Sequence, residues 1–97
     1  MEIKTKTEGD CLTIAVSGRI DTVTAPELGA NLKTDGVNCV VLDLADVPYM
    51  SSAGLRILLT AHKEMLAKGG ELKIANVQSA VMEVLDITGF SDIFNLI

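Results

Sequence analysis

Aromatic residues make up only 3% of this chain, it holds one histidine, and no apolar run approaches the roughly 20 residues that a membrane span requires. With so few rings available, the 48% of residues that are hydrophobic must build a core from Val, Leu, Ile, Ala and Met. Positive charge is also short. Eight Lys and Arg face 13 Asp and Glu, and the net charge of −5 repels nucleic-acid phosphates and anionic lipid headgroups alike. Direct binding to nucleic acid or to a membrane is therefore not expected. No apolar signal-peptide core follows Met1-Glu2-Ile3-Lys4, so the reading is a cytoplasmic protein. The two cysteines, Cys11 and Cys39, sit in apolar stretches and lack the CxxC or Cys/His spacing of metal and redox motifs. Buried reduced thiols are the expectation for a reducing compartment, with a disulfide as the alternative that spacing leaves open.

The 97 residues suit one domain, spanning 1–97, with a single core. Gly9-Asp10 is a turn signal between the weakly alternating Glu2 to Thr7 and the alternating Cys11 to Val16, which together predict a hairpin. Thr24-Ala25-Pro26-Glu27 has the composition of a capping box, so a first helix is expected from Ala25 to about Lys33. Val37 to Leu44 is nearly continuous in apolar residues and reads as a central strand covered on both faces. Leu55, Leu58, Leu59, His62, Met65 and Leu66 fall at helical spacing, predicting a helix from Ala53 to Lys68 that Gly69-Gly70 stops. A short strand from Glu71 to Ala75 follows. A third helix over Val77 to Thr88, capped by Asn76 and closed by Gly89, and a last strand from Ile93 to Ile97 complete the order. That order implies an α/β fold: a mixed sheet of four or five strands layered with three helices, joined by right-handed crossovers.

The most informative stretch for chemistry is Tyr49-Met50-Ser51-Ser52-Ala53-Gly54-Leu55, where the central strand hands over to a helix. Unpaired N–H groups at a helix start accept a Ser side chain as a cap and also tolerate phosphate. A catalytic serine would need a base. His62 lies about ten residues further along the same helix, roughly 15 Å away, so a Ser-His hydrolase is excluded and His62 reads as a residue at the boundary of the core. Asp21, Asp43 and Asp46 fall near strand ends, where α/β domains keep ligand sites and paired carboxylates could hold a metal or do acid/base work, but turn and cap roles account for them better. Gly69-Gly70 precedes a strand and so lacks the context of a phosphate-cradling loop.

Gly18-Arg19-Ile20-Asp21, Val40-Val41-Leu42-Asp43-Leu44, Tyr49 to Leu55, Gly69-Gly70-Glu71-Leu72-Lys73 and Ile87-Thr88-Gly89-Phe90 together resemble the STAS domain of bacterial anti-sigma factor antagonists. The resemblance runs from the second predicted strand to the last residue. Where the family usually has Asp before its phosphorylated serine, this chain has Ser51. The resemblance implies a non-enzymatic switch without a cofactor. Its partner would be an anti-sigma factor that is also a serine kinase, Ser52 would be the phosphorylated hydroxyl, and sigma-factor-dependent transcription would be the output. Asp21, Tyr49, Met50, Ser51, Ser52, Ala53, Gly54 and Leu55 would form the partner-binding surface. The alternative is a STAS scaffold subunit of a lipid-transport or stress-sensing assembly that is never phosphorylated.

Overall fold

Gly9 and Asp10 turn the chain between β1 (Glu2–Glu8) and β2 (Cys11–Ser17), which pair antiparallel from Glu2 opposite Ser17 to Glu8 opposite Cys11. The computed structural model describes residues 1–32 and 35–97. Its later elements are α1 (Ala25–Asn31), β3 (Cys39–Asp46), α2 (Ser52–Ala67), β4 (Glu71–Ala75), α3 (Ser79–Thr88), a 3₁₀ turn (Phe90–Asp92) and β5 (Asn95–Leu96). The sheet has five strands in the order β1-β2-β3-β4-β5, and β2 to β5 run parallel to one another. The expected α/β architecture is therefore the observed one, with β3 at its centre. The expected end of α1 near Lys33 lies outside the described residues.

Right-handed crossovers that step across a sheet in one direction put successive helices on the same face. The alternation of burial agrees: Leu12, Ile14 and Val16 of β2, Val40, Leu42 and Leu44 of β3, and Leu72 and Ile74 of β4 are all buried. Residues between them are exposed or half-buried, Val41 among them. β3 is thus covered on one face, not on both as its apolar run suggests. Val41 gains its partial cover from its cross-strand neighbours, Thr13 on β2 and Lys73 on β4, and needs no second layer.

α2 lays Leu55, Leu58, Ala61 and Met65 onto the sheet, while Leu66, expected in the same stripe, is 61% exposed on the far edge of the helix. Two close approaches explain glycines of the sequence. A Cβ on Gly70 would meet the Asn38 carbonyl oxygen at 2.7 Å and Met65 Cε at 2.8 Å, so only glycine lets the chain leave α2 this close to the start of β3. The Gly54 contact belongs to the site described below.

Three local expectations are corrected. α3 starts at Ser79 behind Gln78, not behind Asn76. Asn76 instead takes a left-handed turn at φ 59° and donates from Nδ2 to Asp43 Oδ1 at 3.1 Å, tying the end of β4 to β3. The last strand is cut to Asn95–Leu96 because Phe90 and Phe94 pack edge to face at 5.8 Å, and the intervening residues wind into the 3₁₀ turn. Cys11 and Cys39, expected as separate reduced thiols, form a disulfide. Their separation of 28 in sequence conceals that strand register sets them directly opposite each other on β2 and β3.

Candidate functional site

The loops that leave β2 and β3 are stitched together. Ile20 and Met50 form an isolated parallel bridge, in which Ile20 N–H donates to the Tyr49 carbonyl at 3.0 Å and Ser51 N–H donates to the Ile20 carbonyl at 2.8 Å. Both side chains are buried, Ile20 fully and Met50 at 1% exposure. The first turn of α2 presses on this bridge so closely that a Cβ on Gly54 would lie 2.5 Å from Ile20 Cγ2 and 2.9 Å from Met50 Cγ. One rigid corner therefore brings together all eight residues that the sequence suggests for partner binding. Ser52 and Tyr49 are exposed on it, Asp21, Ser51 and Ala53 are half-buried, and Met50, Gly54 and Leu55 form its buried floor.

The capping box at α1 lies three residues earlier than its composition suggests. Thr24 makes no side-chain cap to the helix. Instead Asp21 Oδ1 accepts from the N–H groups of Val23 and Thr24, each at 3.0 Å, and Thr24 Oγ1 accepts from Asp21 N–H at 2.9 Å. This reciprocal pair closes the loop, and the Thr24 hydroxyl also donates to the Arg19 carbonyl at 2.8 Å. The Thr24 N–H bond, foremost, holds the Asp21 carboxyl below its ordinary value of 3.8, against a smaller opposing effect of desolvation. The Thr24 hydroxyl, the Val23 N–H and the Arg19 charge add to the lowering.

Arg19 belongs to the site although sequence reasoning assigned it no role. Its guanidinium stands 4.4 Å from the centre of the Tyr49 ring and its Nε lies 3.9 Å from Asp21 Oδ2, so it joins the two loops electrostatically. Its place at the end of β2, within Gly18-Arg19-Ile20-Asp21, is the signal that could have found it. Val23, 84% exposed on the same loop, and Arg56, exposed one helical turn beyond Ser52, were missed as well. Ser52, Leu55, Arg56 and Leu59 of α2 face Thr88 and Phe90 across a largely apolar groove that opens beside Ser52.

The two serines differ. Ser51 occupies the N-cap position of α2 with extended backbone (ψ 174°), yet its hydroxyl makes no cap, and Ser51 Oγ is buried without a hydrogen-bond partner among the described residues. Ser52 is the first helical residue and is exposed. His62, ten positions along α2, rests edge-on against Phe94 at 5.6 Å, far from either serine. Asp43 Oδ1 accepts from Ala45 N–H at 3.0 Å in a turn, and the Asp46 carbonyl accepts from Gly18 N–H at 3.0 Å. Among the described residues no group of His, Cys, Asp and Glu is placed to hold a metal ion, and no helix is long and apolar enough to cross a membrane.

Comparison with known proteins gives a consistent result. The STAS domain family model matches residues 2–97. The anti-sigma-B factor antagonist of Listeria monocytogenes is 32% identical over 99% of this chain and 86% of its own length. A crystal structure of an anti-sigma factor antagonist from Mycobacterium paratuberculosis superposes with a TM-score of 0.86 at 26% identity, over 98% of this chain and 83% of that one. The Bacillus cell fate determinant SpoIIAA in its phosphorylated form shares the fold, with a TM-score of 0.77 at 16% identity over 99% of this chain and 91% of that one.

Proposed function

This chain belongs to the STAS domain family of anti-sigma factor antagonists, regulatory binding proteins and not enzymes, and on that premise we propose that Ser52 is its switch. In this reading the chain is one cytoplasmic STAS domain that binds an anti-sigma factor with serine kinase activity. Phosphorylation of Ser52 by that kinase ends the complex and so controls sigma-factor-dependent transcription. The observation that carries the reading is the placing of Ser52: exposed, at the first residue of α2, on the corner built by the Ile20–Met50 bridge. That one relative of this fold exists in a phosphorylated form, SpoIIAA, supports it.

The physics favours a switch at the surface over one that unfolds the domain. A phosphoserine adds about −1.5 to −2 charges, which a helix start stabilises by roughly 0.3–1 kcal/mol. Arg56, one turn along the same helix, adds a compensating charge. A partner docked over Tyr49 and Ser52 would instead have to desolvate the dianion. An unpaired buried charge costs several kcal/mol, and about 1.4 kcal/mol is already tenfold in affinity. Ser52→Ala is expected to keep the fold and partner binding while blocking phosphorylation, whereas Ser52→Asp weakens binding by about tenfold or more. Affinities for a purified cognate anti-sigma factor, measured beside thermal stability, test this. Equal binding by Ser52→Asp and wild type would favour the scaffold reading.

A further inference from the structure

At the opposite end of the strands, the uncovered face of the sheet carries a pair of sulfurs. Cys11 of β2 sits directly opposite Cys39 of β3, with Cα atoms 4.4 Å apart and a disulfide between them. Their sequence neighbours Leu12 and Val40 are buried under the helices, so both cysteines point to the other, open face, where each is half-buried. We propose that Cys11 and Cys39 are a reversible redox-modification site that exchanges with a small thiol–disulfide couple of the glutathione type, and that oxidation stabilises the fold by constraining the unfolded chain between them.

Strand register makes both states available to one backbone. Parallel pairing alone holds the two residues opposite each other, and a Cα separation of 4.4 Å reaches the short end of the range a disulfide spans, so the strand pairing is compatible with the bond open or closed. Access is open, because among the described residues no helix covers this face. The cross-strand neighbours are acidic, Glu8 opposite Cys11 and Glu71 opposite Cys39. Each is paired with a lysine two positions away on the same strand, Lys6 to Glu8 at 2.8 Å and Lys73 to Glu71 at 3.7 Å. The two lysines offset these two acids, and Asp10, beside Cys11 and accepting from Asn38 Nδ2 at 3.2 Å, leaves the patch only mildly acidic toward a small anionic thiol.

The chemistry balances as two exchanges. The thiolate of one cysteine attacks a sulfur of oxidised glutathione, whose S–S bond breaks and releases one glutathione thiolate. The thiolate of the second cysteine then attacks the protein sulfur of the mixed disulfide, which forms the Cys11–Cys39 bond and releases the second glutathione. The protein gives up two electrons and two thiol protons, and the two glutathione molecules take them. The bond closes a ring over the 28-residue separation that holds β2, the Asp21 loop and α1. The unfolded chain loses freedom by this closure while the folded one loses almost none. Since β2 places its two ends about 20 Å apart, oxidation acts on stability and leaves the Ser52 corner unobstructed.

Wild-type protein equilibrated over a series of reduced to oxidised glutathione ratios, then quenched by alkylation, tests it. Intact mass is expected to show two alkylated thiols at the reduced end and none at the oxidised end, with a monomer throughout. The thermal midpoint should rise on oxidation by about 10 °C and return on re-reduction, while that of Cys39→Ser stays independent of the ratio. Thiols that remain alkylatable at every ratio, a disulfide formed between copies on a non-reducing gel, or equal midpoints for the two wild-type states would each overturn it.

Discussion

Ser51 and Ser52 are neighbours in sequence and occupy different physical situations. The Ser51 backbone takes the N-cap place of α2, and Leu55 N–H reaches its carbonyl at 3.1 Å, but its hydroxyl is buried with no partner among the described residues. Composition suggests that Ser51→Ala would cost about 1 kcal/mol through a lost cap. The structure reverses that expectation, because there is no cap to lose and removing an unsatisfied hydroxyl relieves a desolvation cost. Ser51→Ala is therefore expected to change stability by less than about 0.5 kcal/mol, or to raise it slightly, in urea denaturation. A loss well beyond that would show that the hydroxyl finds a partner in solution. A serine before a helix is legible in sequence as a cap candidate. Whether its rotamer caps or turns inward depends on how Ile20, which arrives from another segment, packs beside Met50.

At the level of elements, α2 joins the fold to the proposed switch, since its first turn carries Ser52 and its inner face carries Leu55, Leu58, Ala61 and Met65 into the core. Gly54 sets the distance between them. A Cβ there would stand 2.5 Å from Ile20 Cγ2 and 2.9 Å from Met50 Cγ, so Gly54→Ala has to push α2 away from the bridge that organises the site. The gain in helix propensity is about 1 kcal/mol, and overpacking a rigid contact costs about 1–3 kcal/mol. A net loss of stability is expected, with partner affinity falling as Ser52 shifts against Tyr49. Chemical denaturation and a binding titration on one preparation check both, and an unchanged or stabilised Gly54→Ala would mean that the corner is pliable. The extent of α2 was legible from its periodicity to within a residue, whereas the outward face of Leu66 was not, because the width of a buried stripe depends on what lies beneath it.

For the molecule as a whole, an acidic chain of net charge −5 should lose stability in acid where its carboxylates hold native contacts. Asp21 is such a group, its folded value lowered chiefly by the Thr24 N–H. A carboxyl depressed on folding contributes stability that is fully present above its ordinary value of 3.8 and is lost as pH falls through the lower folded value. Asp21→Asn keeps an acceptor for the loop and drops the charge. Wild type is thus expected to exceed the variant in denaturation midpoint near neutral pH, with the gap closing below about pH 4. A gap that stays constant from about pH 7 to about pH 3 would mean that the charge does not matter to the fold.

Local patterns in the chain carried most of the architecture. Turn residues, alternation and helical spacing depend on near neighbours, so the hairpin, α2, the order of elements and the mixed sheet could be read directly, and the motif from Tyr49 to Leu55 pointed to the corner that holds Ser52. What could not be read depends on pairs distant along the chain. The Cys11–Cys39 bond follows from the register of β2 against β3, the single covered face of β3 from all crossovers running one way, and the shift of the capping box to Asp21 from a loop that must meet Tyr49 and Ser51. Arg19 over Tyr49 is the same kind of fact, a contact between the ends of two strands. A chain declares its short-range geometry through propensity and period, but register and layer order are chosen by burial summed over the folded sheet, and only there do these residues become neighbours.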